Sequence, residues 1–343
     1  KGEYQYLHPN NDVNMSQSTN DVYPTAIRLG LLFSLDDLNK PFEDIIASLR
    51  AKGQEFSHIL KMGRTQLQDA VPMTLGQEFH AFAATLEKDL AQINSIAPNT
   101  LNYMNLGGTA IGTGINTEYR YTQLAIQALS EISQKNIQSA PDLIEATSDM
   151  GDFVLLSGLL KRTATKLSKI ANDLRLLSSG PRTGINEINL EARQPGSSIM
   201  PGKVNPVIPE ALNLVCFQII ANDLAVTLAA EAGQLQLNAM EPLIAFKLFE
   251  SIELLSRALV MFRTKCIDTV TANAEHCKAQ VENSIGIVTA LNPYLGYETT
   301  TRIAKTANES GLSVLSLIRE EQLLSDEVIA EILAIDNMVK PKD

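Results

Sequence analysis

IAFKLFESIELLSRALVMFRTKC, residues 244–266, places apolar side chains at Ile244, Leu248, Ile252, Leu255, Leu259, Phe262 and Cys266. Steps of three and four return to one face of a helix almost as heptads, the spacing of long helices that pack nearly parallel in a bundle. A second stretch repeats the pattern: Ile27, Leu31, Leu35, Leu38, Phe42, Ile45 and Leu49 follow Pro24, read as a first helical residue, with Pro41 able to bend the helix. Leu75, Phe79, Phe82 and Leu86 predict another helix, and Leu155 to Leu177 one more. No stretch alternates as a strand does. The expectation is an all-α chain built on a long central helical bundle.

Composition agrees. The 343 residues are 45% hydrophobic but only 5% aromatic, without tryptophan, which suits Leu, Ile and Ala packing between helices. Lys and Arg number 28 against 39 Asp and Glu, a formal charge of −11 that argues against nucleic acid or an anionic membrane as partner. An anionic ligand would need a local cationic pocket. Cys216, Cys266 and Cys277 are widely spaced and form no metal pattern, so buried, reduced thiols of a cytoplasmic protein are expected. No apolar run reads as long enough to span a membrane. The chain opens abruptly at Lys1, so a preceding segment is expected. Domains are expected at 1–22 (the remnant of an N-terminal domain), 23–270 (the long-helix bundle) and 271–343 (a small C-terminal helical domain).

Three polar loops interrupt the helices. SQSTND (Ser16 to Asp21) offers hydroxyls and amides from Ser18, Thr19 and Asn20 that suit a carboxylate or an amino group, or else a helix cap. GRTQLQDAVP (Gly63 to Pro72) carries Arg64, Thr65 and Gln66, with a turn as the plain alternative. QPGSSIMPGKVNP (Gln194 to Pro206) is the most pointed. Gly196 and Gly202 free the backbone, Lys203 supplies positive charge, and Asn205-Pro206 fits the start of a helix. Its two serines, Ser197 and Ser198, sit where positive potential lowers the cost of an alkoxide. GGTAIGTG (Gly107 to Gly114) lacks the ending of a phosphate loop and reads as a tight turn between helices. The four histidines have no metal-ligand spacing.

With these residues in view, GSSIMPGKVNP resembles the signature loop of the aspartase/fumarase superfamily, and SQSTND and GRTQLQDAVP match its other site loops. KMGRTQLQDAVPMTLGQEF, DLIEATSDMG, NDLRLLSSGPR, NEINL and AAEAGQLQLNAMEP lean to the ammonia-lyase branch. HPNNDVN and TALNPYLGYETTTRIAK lean to the hydratase branch, where a histidine stands in place of Gln66 and pairs with the residue matching Glu210. The resemblance implies reversible deamination of L-aspartate to fumarate and ammonia through an aci-carboxylate intermediate. It implies Ser197 as the base that takes the Cβ proton. Lys203 and Asn205, helped by Thr65 and Gln66, would bind the adjacent carboxylate; Ser18, Thr19 and Asn20 would hold the other carboxylate and the ammonium. It implies a homotetramer whose sites draw loops from three subunits, no required cofactor, and magnesium as a possible activator. The alternatives are fumarate hydration to L-malate and a non-catalytic structural assembly. The family pattern starts well before Lys1 and includes a Gly-rich segment with a substrate-binding threonine.

Overall fold

Among the described residues five long helices carry the fold: α1 (Thr19–Glu55), α2 (Leu75–Leu101), α5 (Gly151–Leu177), α6 (Val207–Glu231) and α7 (Glu241–Lys265). The structure is a computed structural model that describes residues 2–196 and 198–339. Shorter helices follow or intervene: α3 (Tyr119–Ser133), α4 (Leu143–Ser148), α8 (Ala274–Asn283), α9 (Val288–Ser310), α10 (Val314–Glu320), α11 (Asp326–Ile332) and α12 (Ile335–Met338). Ile244, Leu248, Ile252, Leu255, Leu259, Phe262 and Cys266 are all buried, as their spacing requires.

Helix α1 begins at Thr19, so Pro24 lies inside it rather than at its first position. A proline here leaves the carbonyl four residues back without its helical donor. That carbonyl belongs to Asn20, and the Asn105 side-chain amide donates to it at 2.9 Å. A tertiary contact therefore rescues what local rules forbid.

Strand is present where none was expected. β1 (Leu60–Thr65) and β2 (Gln68–Thr74) form an antiparallel hairpin with a bulge between Met62 and Arg64. The alternation was invisible because the inward positions include Lys61, only 2% exposed, and because Pro72 sits in the second strand. Two-residue strands add a parallel pair, β3 (Tyr103–Met104) with β4 (Gln138–Ser139), and an antiparallel pair, β5 (Ile188–Asn189) with β6 (Thr271–Ala272). The chain remains all-α in class.

Two units are distinguishable by their internal contacts. The first comprises residues 1–44, 85–169 and 211–260; the second comprises 45–84, 170–210 and 261–343. In the second, the short C-terminal helices enclose a core of Met62, Ile287, Leu291, Ile303, Ile318 and Ile329.

Helix α6 corrects the reading of the apolar runs. An 18-residue window within its 25 residues has a mean hydropathy of 1.6, long and apolar enough by composition to cross a membrane, with 39% of that window buried. The reason is that it is apolar on two faces. Leu212, Cys216, Ile219 and Val226 point into the fold, while Leu214, Phe217, Ala221, Leu224 and Leu228 are exposed. Those exposed positions step by three and four along the helix, a narrow seam of the kind that docks another helix.

Candidate active site

In the first unit, SQSTND folds as the start of α1. The Ser18 hydroxyl accepts from the Asn20 amide at 3.2 Å, and Asp21 reaches back to accept from the Ser18 amide at 2.9 Å. This reciprocal arrangement is a capping box closed by Asp. Capping and binding are therefore not alternatives. The Ser18 oxygen accepts inside the cap, which leaves its proton free to donate to a carboxylate. The Asn20 side-chain amide donates to the Ala110 carbonyl at 2.8 Å. A carbonyl accepts only, so this bond fixes the amide with its nitrogen toward Ala110 and leaves the oxygen as the acceptor it can offer. Ser18 and Thr19 line an open cavity of about 390 Å³ with Asn10, Asn14, Gln17 and Tyr23.

The segment HPNNDVN packs as a short π-helical turn, Pro9–Val13, capped by His8, whose Nδ1 accepts from the amides of Asn10 and Asn11. GGTAIGTG follows β3, not a helix, and folds onto the start of α1. The other Asp21 oxygen accepts from the amides of Gly107 and Thr109, each at 3.0 Å. Gly107 has φ +87°, and a Cβ there would lie 2.0 Å from the Thr122 hydroxyl, so only glycine fits. Across α3, Tyr121 is raised above the usual phenol range, by burial first and then by the Asp21 charge.

Also in this unit, Arg28 pairs with Asp152 at 2.6 Å and stacks 4.9 Å over the Phe153 ring. Glu241, the first residue of α7, is buried, and burial pushes its carboxyl up to about 7 against the opposing pull of Arg28.

In the second unit, Thr65 and Gln68 pair across the hairpin, leaving Gln66 and Leu67 as a two-residue turn with φ +53° and +62°. That turn favours Asn-Gly, and holding two other side chains in it costs roughly 1 kcal/mol or more each. The base of the hairpin is fixed by charge. Glu187, with no exposure, takes Lys61 at 2.6 Å and Arg64 at 2.5 Å, and Lys61 also takes Glu78 at 2.5 Å. Burial alone would lower the Lys61 ammonium; Glu78 and Glu187 outweigh it and raise it. Glu187 belongs to the family-like stretch NEINL. Glu210, expected partner of a histidine in the hydratase branch, instead lies 3.8 Å from Arg175.

The loop before α6 carries Lys203 and Asn205, both within the second unit. Gly202 has φ +84°, and a Cβ on Gly196 would stand 2.8 Å from the Lys203 carbonyl, so the loop turns where its glycines allow. Helix α6 starts later than expected. Pro206, not Asn205, supplies the carbonyl that accepts from Glu210 at 3.2 Å, and the Asn205 carbonyl accepts from Val207 at 2.9 Å. Among the described residues the side chains of Lys203 and Asn205 have no hydrogen-bond or ion-pair partner, and no hydrogen bond joins them to Thr65 or Gln66. Ser197 lies outside the described residues. No group of three or more His, Cys, Asp or Glu among the described residues is placed to hold a metal ion.

A family model described as Lyase matches residues 1–221, well over half the chain. The chain belongs to this lyase family, the aspartase/fumarase superfamily. A second model, Fumarase C C-terminus, matches residues 287–340. Aspartate ammonia-lyase of Pseudomonas canavaninivorans is 69% identical over 342 residues, which cover 100% of this chain and 72% of that one. Among solved structures, a fumarate lyase:delta crystallin from Brucella melitensis bound to cobalt matches with a TM-score of 0.95 and 54% identity, over 99% of this chain and 74% of that one. The class II fumarase of Schistosoma mansoni matches with a TM-score of 0.92 but 34% identity, over 98% of this chain and 74% of that one. The class II fumarase thus shares the fold at a lower identity than the Brucella melitensis protein.

Proposed function

We propose that the protein is an aspartate ammonia-lyase, converting L-aspartate reversibly to fumarate and ammonia. The observation that carries this reading is the 69% identity to an aspartate ammonia-lyase across the whole chain, against 34% to a class II fumarase of nearly the same shape. Gln66 at the hairpin tip stands where the hydratase branch has its paired histidine, which weakens the hydration reading, and the Asn20 oxygen left available suits an ammonium group.

The chemistry is difficult because removing a proton next to a carboxylate builds a dianion. In the proposed mechanism Ser197 takes the Cβ proton. Lys203, Asn205, Thr65 and Gln66 stabilise the charge that develops on the adjacent carboxylate, the electrostatic contribution expected to dominate. The Cβ electron pair then forms the C=C bond and the Cα–N pair leaves with ammonia. Ser18 and Thr19 hold the second carboxylate by donating, and Asn20 receives the ammonium. The reaction as proposed uses no cofactor, with magnesium as at most an activator, and three buried free thiols suit a cytoplasmic setting.

The working assembly in this reading is a homotetramer with sites shared between subunits. Support comes from the exposed seam Leu214–Phe217–Ala221–Leu224–Leu228, which has no use in a lone chain. Fumarate hydration is the second reading, favoured by the C-terminal match over residues 287–340. Ultraviolet absorbance of fumarate decides between them: it should rise with L-aspartate and stay flat with L-malate, and the reverse result would overturn the proposal.

A further inference from the structure

We propose that Asp21 is a positioning residue for the leaving-group end of the site. Its carboxylate locks the start of α1 to the segment Gly107–Ala110, and that lock sets the Asn20 carboxamide with its oxygen toward the substrate's ammonium. The inference rests on the ammonia-lyase reading and extends it to what selects the departing group.

A helix cap accounts for only part of the geometry. Capping α1 requires one Asp21 oxygen on the Ser18 amide. The second oxygen takes two further amides, from Gly107 and Thr109, across more than eighty residues of sequence. Asp21 is fully buried, and among the described residues no ion pair neutralises it. The amides it gathers hold the 107–110 segment against α1, and Ala110 in that segment receives the Asn20 nitrogen. Asn105 completes the frame, donating to the Asn20 carbonyl at 2.9 Å and to the Thr147 hydroxyl at 3.0 Å. Backbone and side chain of Asn20 are thus held independently. An ammonium group only donates, so it is matched by a fixed acceptor and not by a freely rotating amide, which would offer its donor end half the time. The charge on Asp21, one residue along, adds attraction for the same cation.

Asp21→Asn tests this. An asparagine has one acceptor where the carboxylate has two, so its nitrogen must face either the Ser18 amide or those of Gly107 and Thr109, donor against donor, and the joint hold on α1 and the 107–110 segment is broken. Kinetics are measured in both directions alongside circular dichroism and sizing. The expected result is a KM for L-aspartate, and for ammonium in the reverse reaction, raised about tenfold or more, with the KM for fumarate within about twofold. Asn105→Ala leaves the α1 cap intact and should give the same selective rise, smaller in size; it decides the matter alone if Asp21→Asn does not fold. Equal rises for ammonium and fumarate, or a lowered melting temperature with unchanged KM values, would overturn the role and leave Asp21 a helix cap. A wild-type protein that releases no fumarate from L-aspartate would instead overturn the activity itself, and this role with it.

Discussion

The fully buried Glu187 carboxylate meets the Arg64 guanidinium, whose side chain is 17% exposed, at 2.5 Å and ties the stretch after α5 to the end of β1. Arg64 directly precedes Thr65 and Gln66, so the tie fixes the stem from which those two project. Glu187→Gln removes the charge that compensates both Arg64 and Lys61. Breaking a buried pair from one side costs about 3–5 kcal/mol, so melting should fall sharply, and kcat/KM for L-aspartate with it. Unchanged melting by calorimetry would show that the network is not structural.

Lys203→Ala should lower kcat by about a hundredfold or more, the scale of losing one preorganised donor at a developing oxyanion. Ser197→Ala should cost still more in kcat with little change in substrate affinity. Near-normal turnover of the Ser197 variant would remove it as the base.

Glu241 links pH to stability. Its folded pKa of about 7 stands above the ordinary carboxylate value of 4.5, so the stability it contributes is fully present below that value and is lost as pH rises through 7. Glu241→Gln cannot ionise. At pH 8 it should be more stable than wild type by roughly 2–4 kcal/mol, and at pH 4 the two should coincide. Denaturant melts at both values check this; parallel curves at every pH would refute it.

The seam on α6 predicts assembly. Phe217→Asp with Leu224→Asp places two charges on a surface that in isolation tolerates them, so the chain should still fold but lose its oligomer and its activity. Light scattering gives the mass; a wild-type mass in the double variant would exclude this face from the interface.

The thiols should be inert. Cys216, Cys266 and Cys277 are buried, and burial pushes each up to about 12, so the native protein should not react with a thiol reagent at pH 8 until denatured.

The long helices were legible because their apolar residues recur at the helical period over many turns; Ile244 to Cys266 alone decides the class. What stayed hidden depends on partners distant in sequence. Pro24 looked like a helix start because nothing local says that Asn105 will satisfy the carbonyl it frees. Lys61 spoiled the strand pattern because its neutralising carboxylates, Glu78 and Glu187, lie 17 and 126 positions away. GGTAIGTG looked like a passive turn because its partner, Asp21, is eighty-six residues earlier than Gly107. In the site, Ser18, Thr19 and Asn20 were legible as a group, and the S-x-x-D spacing held the sign that they also cap α1. The division of labour proposed for Ser18 and Asn20 was not, since it rests on which end of each side chain a neighbour has already taken.

The turn at Gln66-Leu67 puts two aims of natural selection at odds. Asn-Gly there would relax both left-handed residues, and any search that rewards heat resistance alone would be drawn to it. Such a change deletes Gln66. On the role proposed for Gln66, the tip of this hairpin is a position where a sturdier protein and a working enzyme call for different residues, and stabilising libraries built on this chain should leave it fixed.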